Sequence, residues 1–117
     1  MNIYLAGPMR HKPNFNAFAF ADAAAKLRAE HHTVFNPAER DVAEYGVVNS
    51  PAGSERTLAK AAGIDVMTLR RELFLADTQW ICQYADAIYL LPGWEASKGA
   101  TAERALGLAL GLEIVEL

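Results

Sequence analysis

The chain has 117 residues, 52% of them hydrophobic and 21% charged, with a formal net charge of −3. That length supplies one ordinary core and so one domain, and the composition is that of a folded chain rather than a disordered one. The negative balance argues against a nucleic-acid duplex as partner, because a protein that tracks the phosphate backbone needs a basic face, whereas a small anion needs only one local pocket. No run approaches the roughly 20 apolar residues of a membrane span, and the first residues lead straight into an expected strand without a charged n-region. The lone cysteine, Cys82, cannot close an internal disulfide. These features predict a cytoplasmic protein that does not engage a membrane, with Cys82 packed in a helix beside Trp80 and Ile81.

Ile3 to Ala6 reads as a short apolar strand ended by Gly7-Pro8, so the chain turns at the strand's carboxyl end into Met9-Arg10-His11-Lys12-Pro13. From Asn14, a candidate cap, to about Glu30 the pattern is helical, with Phe15, Phe18 and Ala19 leading into Ala23 and Leu27 on one face. Val34-Phe35 is a second strand closed by Asn36-Pro37. Asp41 to Gly63 then mixes Gly, Pro, Ser and Asn, and predicts a long excursion with one short helix around Glu55 to Ala61, serving as a lid or an oligomer contact.

About Asp65 to Tyr84 is helical again and delivers the chain to a buried third strand, Ala87 to Leu91. A Pro92-Gly93 break, a small-residue turn with Ser97 and Gly99, and a helix to about Leu110 follow; Gly111 ends that helix and Glu113 to Val115 forms a fourth strand. Strands alternating with helices predict a small Rossmann-like α/β fold, a parallel sheet of four or five strands in flavodoxin-like order 2-1-3-4 with helices on both faces. The reversal of winding then falls between strands 1 and 3, and ligands bind beyond the strand ends at such a point. The two loops that meet there are Gly7 to Pro13 and Pro92 to Gly99.

Several residues could carry chemistry in that crevice. Glu103 sits among small residues, with Gly99 and Gly107 one turn away on either side, so it is either an acid with room around it or an exposed glutamate favoured by the helix dipole. Asp77 is either a surface charge or a second acid on the preceding helix. Tyr4 is either a core tyrosine with a satisfied hydroxyl or a group aimed at the site. Arg10, His11 and Lys12 suit a phosphate or carboxylate, and Ser97 with Gly99 before a helix suits an anion. No Gly-x-Gly-x-x-Gly run and no Lys-Ser/Thr phosphate loop is present, which disfavours a dinucleotide or ATP, and no cofactor is expected. Trp94 is either a lid over a planar ligand or a plug under the loop. His31 and His32 have no third ligand at useful spacing, and no metal is expected.

Ile3-Tyr4-Leu5-Ala6-Gly7-Pro8-Met9, Asn36-Pro37-Ala38-Glu39 and Leu91-Pro92-Gly93-Trp94-Glu95 with Ser97, Gly99, Ala100 and Glu103 together carry a resemblance. They resemble a small domain family of unknown function common in bacteriophage and prophage genomes. That family is itself similar to the nucleoside 2-deoxyribosyltransferases and the 2'-deoxynucleoside 5'-phosphate N-hydrolases. The likeness covers both ends of the chain and hardly touches the stretch from about Asp41 to Phe74.

The resemblance implies that Glu103 is the nucleophile toward the sugar C1', that Tyr4 holds it, and that Asp77 is the proton donor or an acid that contacts the base. The two switch-point loops offer Gly7, Pro8, Met9, Arg10, Gly93, Trp94, Ser97 and Gly99 as substrate-binding residues, and the resemblance implies that Arg10 matches an arginine of the hydrolases' first loop. Ser97 stands where the nucleotide hydrolases contact the 5'-phosphate and the nucleoside transferases have an aspartate. After Arg10 this chain has His11 and Lys12 in place of the hydrolases' glycines. The expected function is an N-glycosidase acting on a 2'-deoxynucleoside 5'-monophosphate; the alternatives are a nucleoside 2-deoxyribosyltransferase and a non-catalytic nucleotide-binding sensor. The expected partners are a small-molecule nucleotide or nucleoside and further copies of the chain, as a homodimer or higher homo-oligomer.

Overall fold

In a computed structural model describing residues 1–117, four strands form one parallel sheet: β1 (Asn2–Ala6), β2 (Thr33–Phe35), β3 (Ala87–Leu90) and β4 (Glu113–Glu116). Their order is β2-β1-β3-β4, as the alternation of elements predicts. Five helices connect them: α1 (Ala17–Ala29), α2 (Pro37–Tyr45), α3 (Glu55–Ala62), α4 (Val66–Tyr84) and α5 (Lys98–Leu110). None is long and apolar enough to cross a membrane.

Side chains alternate across a strand, so β1 feeds two cores at once. Ile3 and Leu5 pack with Phe20, Ala24 and Leu27 of α1 on one face. Tyr4 and Ala6 pack with Ile81 of α4 and Ala100 of α5 on the other. This parity puts the Tyr4 side chain on the same side of the sheet as α5. A third, smaller cluster joins Leu58 and Ala59 of α3 to Leu69 of α4.

The close approach of α5 to the sheet depends on Gly107. A Cβ there would lie 2.6 Å from Cγ1 of Ile88, so only glycine lets the helix settle onto β3 at this distance. Ala100, Glu103 and Gly107 are the buried residues of α5. They recur at helical spacing, so the same small-residue stripe that brings the helix down also carries Glu103 to the sheet. Ser97 caps α5, its hydroxyl accepting from the Ala100 N–H at 3.1 Å, and Gly111 ends the helix in the left-handed region.

Four expectations are corrected. The first helix begins at Ala17, not Asn14, because Asn14, Phe15 and Asn16 all take left-handed backbone angles. Asn14 does not cap that helix; its side chain accepts from the Ser50 N–H at 3.1 Å and its own N–H donates to the Ser50 carbonyl at 2.8 Å. Helix phase therefore starts after Phe15, which leaves Phe18 85% exposed and buries Phe20. The excursion after Asp41 is shorter than expected, since α2 runs through Asp41 to Tyr45, begun by Pro37 and capped by the Asn36 side chain, which accepts from the Ala38 and Glu39 N–H groups. Finally, Cys82 is exposed. It follows the buried Ile81 by one residue, and one step around a helix turns about 100°, enough to carry it off the packed face.

Candidate active site

The Tyr4 hydroxyl donates a 2.6 Å hydrogen bond to Oε2 of Glu103, and the bond is buried. Tyr4 is held in place by its ring, stacked on Phe35 at 5.3 Å and tilted against Trp80 at 6.5 Å. Glu103 is 6% exposed and has no cation paired with it. The reading of Glu103 as an exposed helical glutamate is therefore overturned, and Tyr4 is both a core residue and a group aimed at this acid.

Both residues line a cleft of about 720 Å³, counted out to its open mouth. Asp77 lines it too, reached from α4, and so does Asp41, reached from α2. One oxygen of each aspartate, Oδ1, is buried without a hydrogen-bond partner. Burial pushes the Asp77 carboxyl up to about 7, against the lowering effects of the Tyr4 hydroxyl and Arg40. Asp41 is also pushed up to about 7, first by burial and then by the charge of Asp77, despite Arg40 Nη1 lying 3.6 Å from its Oδ1. Glu103 is raised well above the usual carboxylate range by burial and by the charge of Asp77, and the Tyr4 hydrogen bond pulls the other way.

The carboxyls thus titrate as a group, because ionising one makes ionising the next harder. A hydroxyl has one proton to give, and Tyr4 gives it to Glu103, which favours the ionised form of that residue. With a proton on Asp77, the charge that most opposes Glu103 is gone. Burial and mutual repulsion keep these carboxyls from all ionising together, and the Tyr4 hydroxyl is the donor aimed at Glu103. No group of three or more His, Cys, Asp or Glu side chains is placed to hold a metal ion.

Of the pocket residues expected from sequence, Gly7, Met9, Arg10, Ser97 and Gly99 line the same cleft as Tyr4, Asp77 and Glu103. Pro8, Gly93 and Trp94 do not. Pro8 is buried, and Gly93 starts the turn after β3 with a left-handed φ of 89°. Trp94 packs against the α4/α5 side of the core, donates its indole N–H to Glu116 at 2.8 Å and lies under the Arg104 guanidinium. Of its two readings, the plug under the loop describes this position, and the lid does not.

Sequence reasoning missed Asp41, Glu55, Arg70, Leu73 and Phe74, all of which line the cleft. A signal was present in α4: Arg70, Leu73, Phe74 and Asp77 recur at i, i+3, i+4 and i+7, one stripe of a helix with charged residues at both ends. Asp41 stands one turn after Pro37 on α2, and both face the cleft. The Asn36-Pro37 pair, read as the end of a strand, is equally the start of a helix.

A family described as Domain of unknown function (DUF4406) matches residues 1–116. The chain belongs to the DUF4406 family. No match was found among curated proteins or among solved structures. The DUF4406 match runs through the middle of the chain as well as its ends, and so takes in Asp41, Glu55, Arg70 and Asp77 along with Tyr4 and Glu103. The family description assigns no activity, which leaves the chemistry of the cleft to be argued from its residues.

Proposed function

We propose that this DUF4406 protein is an N-glycosidase that cleaves the base–sugar bond of a 2'-deoxynucleoside 5'-monophosphate. The observation that carries the reading is the buried 2.6 Å bond from Tyr4 to Glu103, in a cleft that also holds the Asp77 carboxyl. It is further supported by the likeness of the Tyr4, Ser97 and Glu103 motifs to those of the 2'-deoxynucleoside 5'-phosphate N-hydrolases.

In the first step a Glu103 oxygen attacks C1' as the C1'–N bond breaks. The bonding pair leaves with the base nitrogen, which takes the proton of Asp77. The developing positive charge on the sugar is met by the carboxylate, as in glycosidases that work through a carboxylate pair. In the second step Asp77, now ionised, takes a proton from water, whose oxygen displaces Glu103 from C1'. The products are the free base and 2-deoxyribose 5-phosphate, and both carboxyls return to their starting states. Ser97 and the N-terminus of α5 beside it supply donors for an anionic group near the sugar.

A chromatographic screen of deoxynucleoside monophosphates for released base tests the reading. Wild type releases base from at least one, and Glu103→Ala releases none while still binding the nucleotide. Binding without base release by wild type, from every nucleotide tried, overturns it in favour of a sensor. Release that depends on an added acceptor base points instead to deoxyribosyl transfer.

A further inference from the structure

A cationic cluster lines the same cleft as the three acids. Arg10 Nη1 lies 2.6 Å from Glu55 Oε1, and Arg70 Nε donates to both Glu55 oxygens, at 3.2 and 2.9 Å. Glu55 is the first residue of α3, and its side chain is 12% exposed against 36% for Arg10 and 44% for Arg70. Two guanidiniums therefore share a single carboxylate, leaving one positive charge uncompensated. The remaining nitrogens of both arginines make no hydrogen bond within the protein.

Arg70 and Asp77 sit on one stripe of α4, seven residues and so about 10 Å apart along its axis. That spacing leaves room for a sugar between an acid at one end and cations at the other. A phosphate monoester carries about −1.5 to −2 charges near neutral pH, closer to the charge of two guanidiniums than one carboxylate is. Its oxygens also suit the planar fork of arginine, which can bind them in pairs.

We propose that Arg10 and Arg70 form a two-arginine clamp for a phosphate monoester, and that Glu55 is the internal carboxylate the phosphate displaces. The identity of the substrate as a nucleotide rests on the glycosidase reading; the clamp itself rests on the Arg10–Glu55–Arg70 geometry. Glu55 holds the two arginines together against their mutual repulsion and competes with the incoming anion. Only a group more highly charged than a carboxylate displaces it well, so the clamp selects phosphorylated substrates over nucleosides. Glu55 stands at the start of α3, where a rotation of its side chain alone releases the arginines, while Leu58 and Ala59 keep the helix packed.

The test is calorimetric titration of the intact protein with 2-deoxyribose 5-phosphate, with unphosphorylated 2-deoxyribose as the control. Wild type binds the phosphate and not the free sugar. Arg70→Gln weakens binding about tenfold or more, and Glu55→Gln, which keeps the shape and removes the competing charge, strengthens it about tenfold. Arg70→Lys keeps the charge but loses the fork, and binds more weakly than wild type; it serves if Arg70→Gln does not fold. The clamp is overturned if wild type does not bind the phosphate, if a folded Arg70 variant binds it as wild type does, or if Glu55→Gln weakens binding. Base release is read separately. Binding that follows these variants without base release sinks the glycosidase and leaves the clamp; base release with a KM indifferent to Arg70 does the reverse.

Discussion

The hydroxyl of Tyr4 and Oε2 of Glu103 are joined by a 2.6 Å hydrogen bond between residues 99 positions apart, so that the first strand of the sheet orients an acid on the last helix. Tyr4→Phe keeps the ring contacts to Phe35 and Trp80 and removes only the donor. It is expected to lower kcat by about 10- to 100-fold, in the range of a lost charge-stabilising donor, while stability changes by about 1 kcal/mol. Losing the bond also removes an effect that lowers the Glu103 pKa. The acid side of the rate profile therefore moves to higher pH, which steady-state kinetics across pH would show.

In the proposed glycosidase reaction Asp77 must carry its proton to act as the acid, and burial holds its carboxyl up to about 7. Turnover is expected to fall as pH rises through that value. Asp77→Asn removes the alkaline limb and lowers kcat by about 100-fold or more, the usual worth of a positioned proton donor. A variant whose profile keeps the wild-type alkaline limb places the acid elsewhere, with Asp41 the first alternative.

The same protonation has a signed effect on folding. Asp41 and Asp77 have folded pKa values of about 7 against an ordinary 3.8, so the folded chain holds more protons than the unfolded chain between these values. Their contribution to stability is fully present below the lower value and is lost as pH rises through the upper one. The shifts of Glu39 and Asp65 are downward and act only on the acid side of this window. Tm is therefore expected to be lower at about pH 8 than at about pH 5.5, and Asp77→Asn to narrow that difference. Thermal melts at the two pH values decide it.

Gly53 fastens the loop before α3 to the loop after β1. The His11 N–H donates to its carbonyl at 3.0 Å, and a Cβ on Gly53 would stand 2.3 Å from the carbonyl oxygen of Lys12, at a φ of +61°. Gly63 has a φ of +73° with nothing within 4 Å of the same atom. Gly63→Ala is expected to cost about 1–2 kcal/mol, the left-handed penalty alone. Gly53→Ala should cost clearly more and weaken ligand binding through Arg10, since its loop must move. Denaturant melts of both variants check the ranking, and equal losses count against this tie between the loops.

The sheet order was legible in the sequence because it follows from local rules, whereas Glu103 and Asp77 were each open as surface charges by spacing and were paired only through the resemblance. Apolar runs of strand length, the Ser97 cap, the Gly111 stop and the alternation of strand with helix leave few topologies for so short a chain, and the switch point brings the Gly7 and Ser97 loops together. The failures are those of reading one segment at a time. Asn14 to Asn16 carry helix-like residues but take left-handed angles, in a loop whose Asn14 is bonded to Ser50 from 36 residues away. Asp41, Glu55 and Arg70 are ordinary surface charges by composition, and become part of a site only when α2, α3 and α4 converge on one cleft. Tertiary packing alone decided that convergence, and with it how deeply each charge is withdrawn from water and which opposing group it faces.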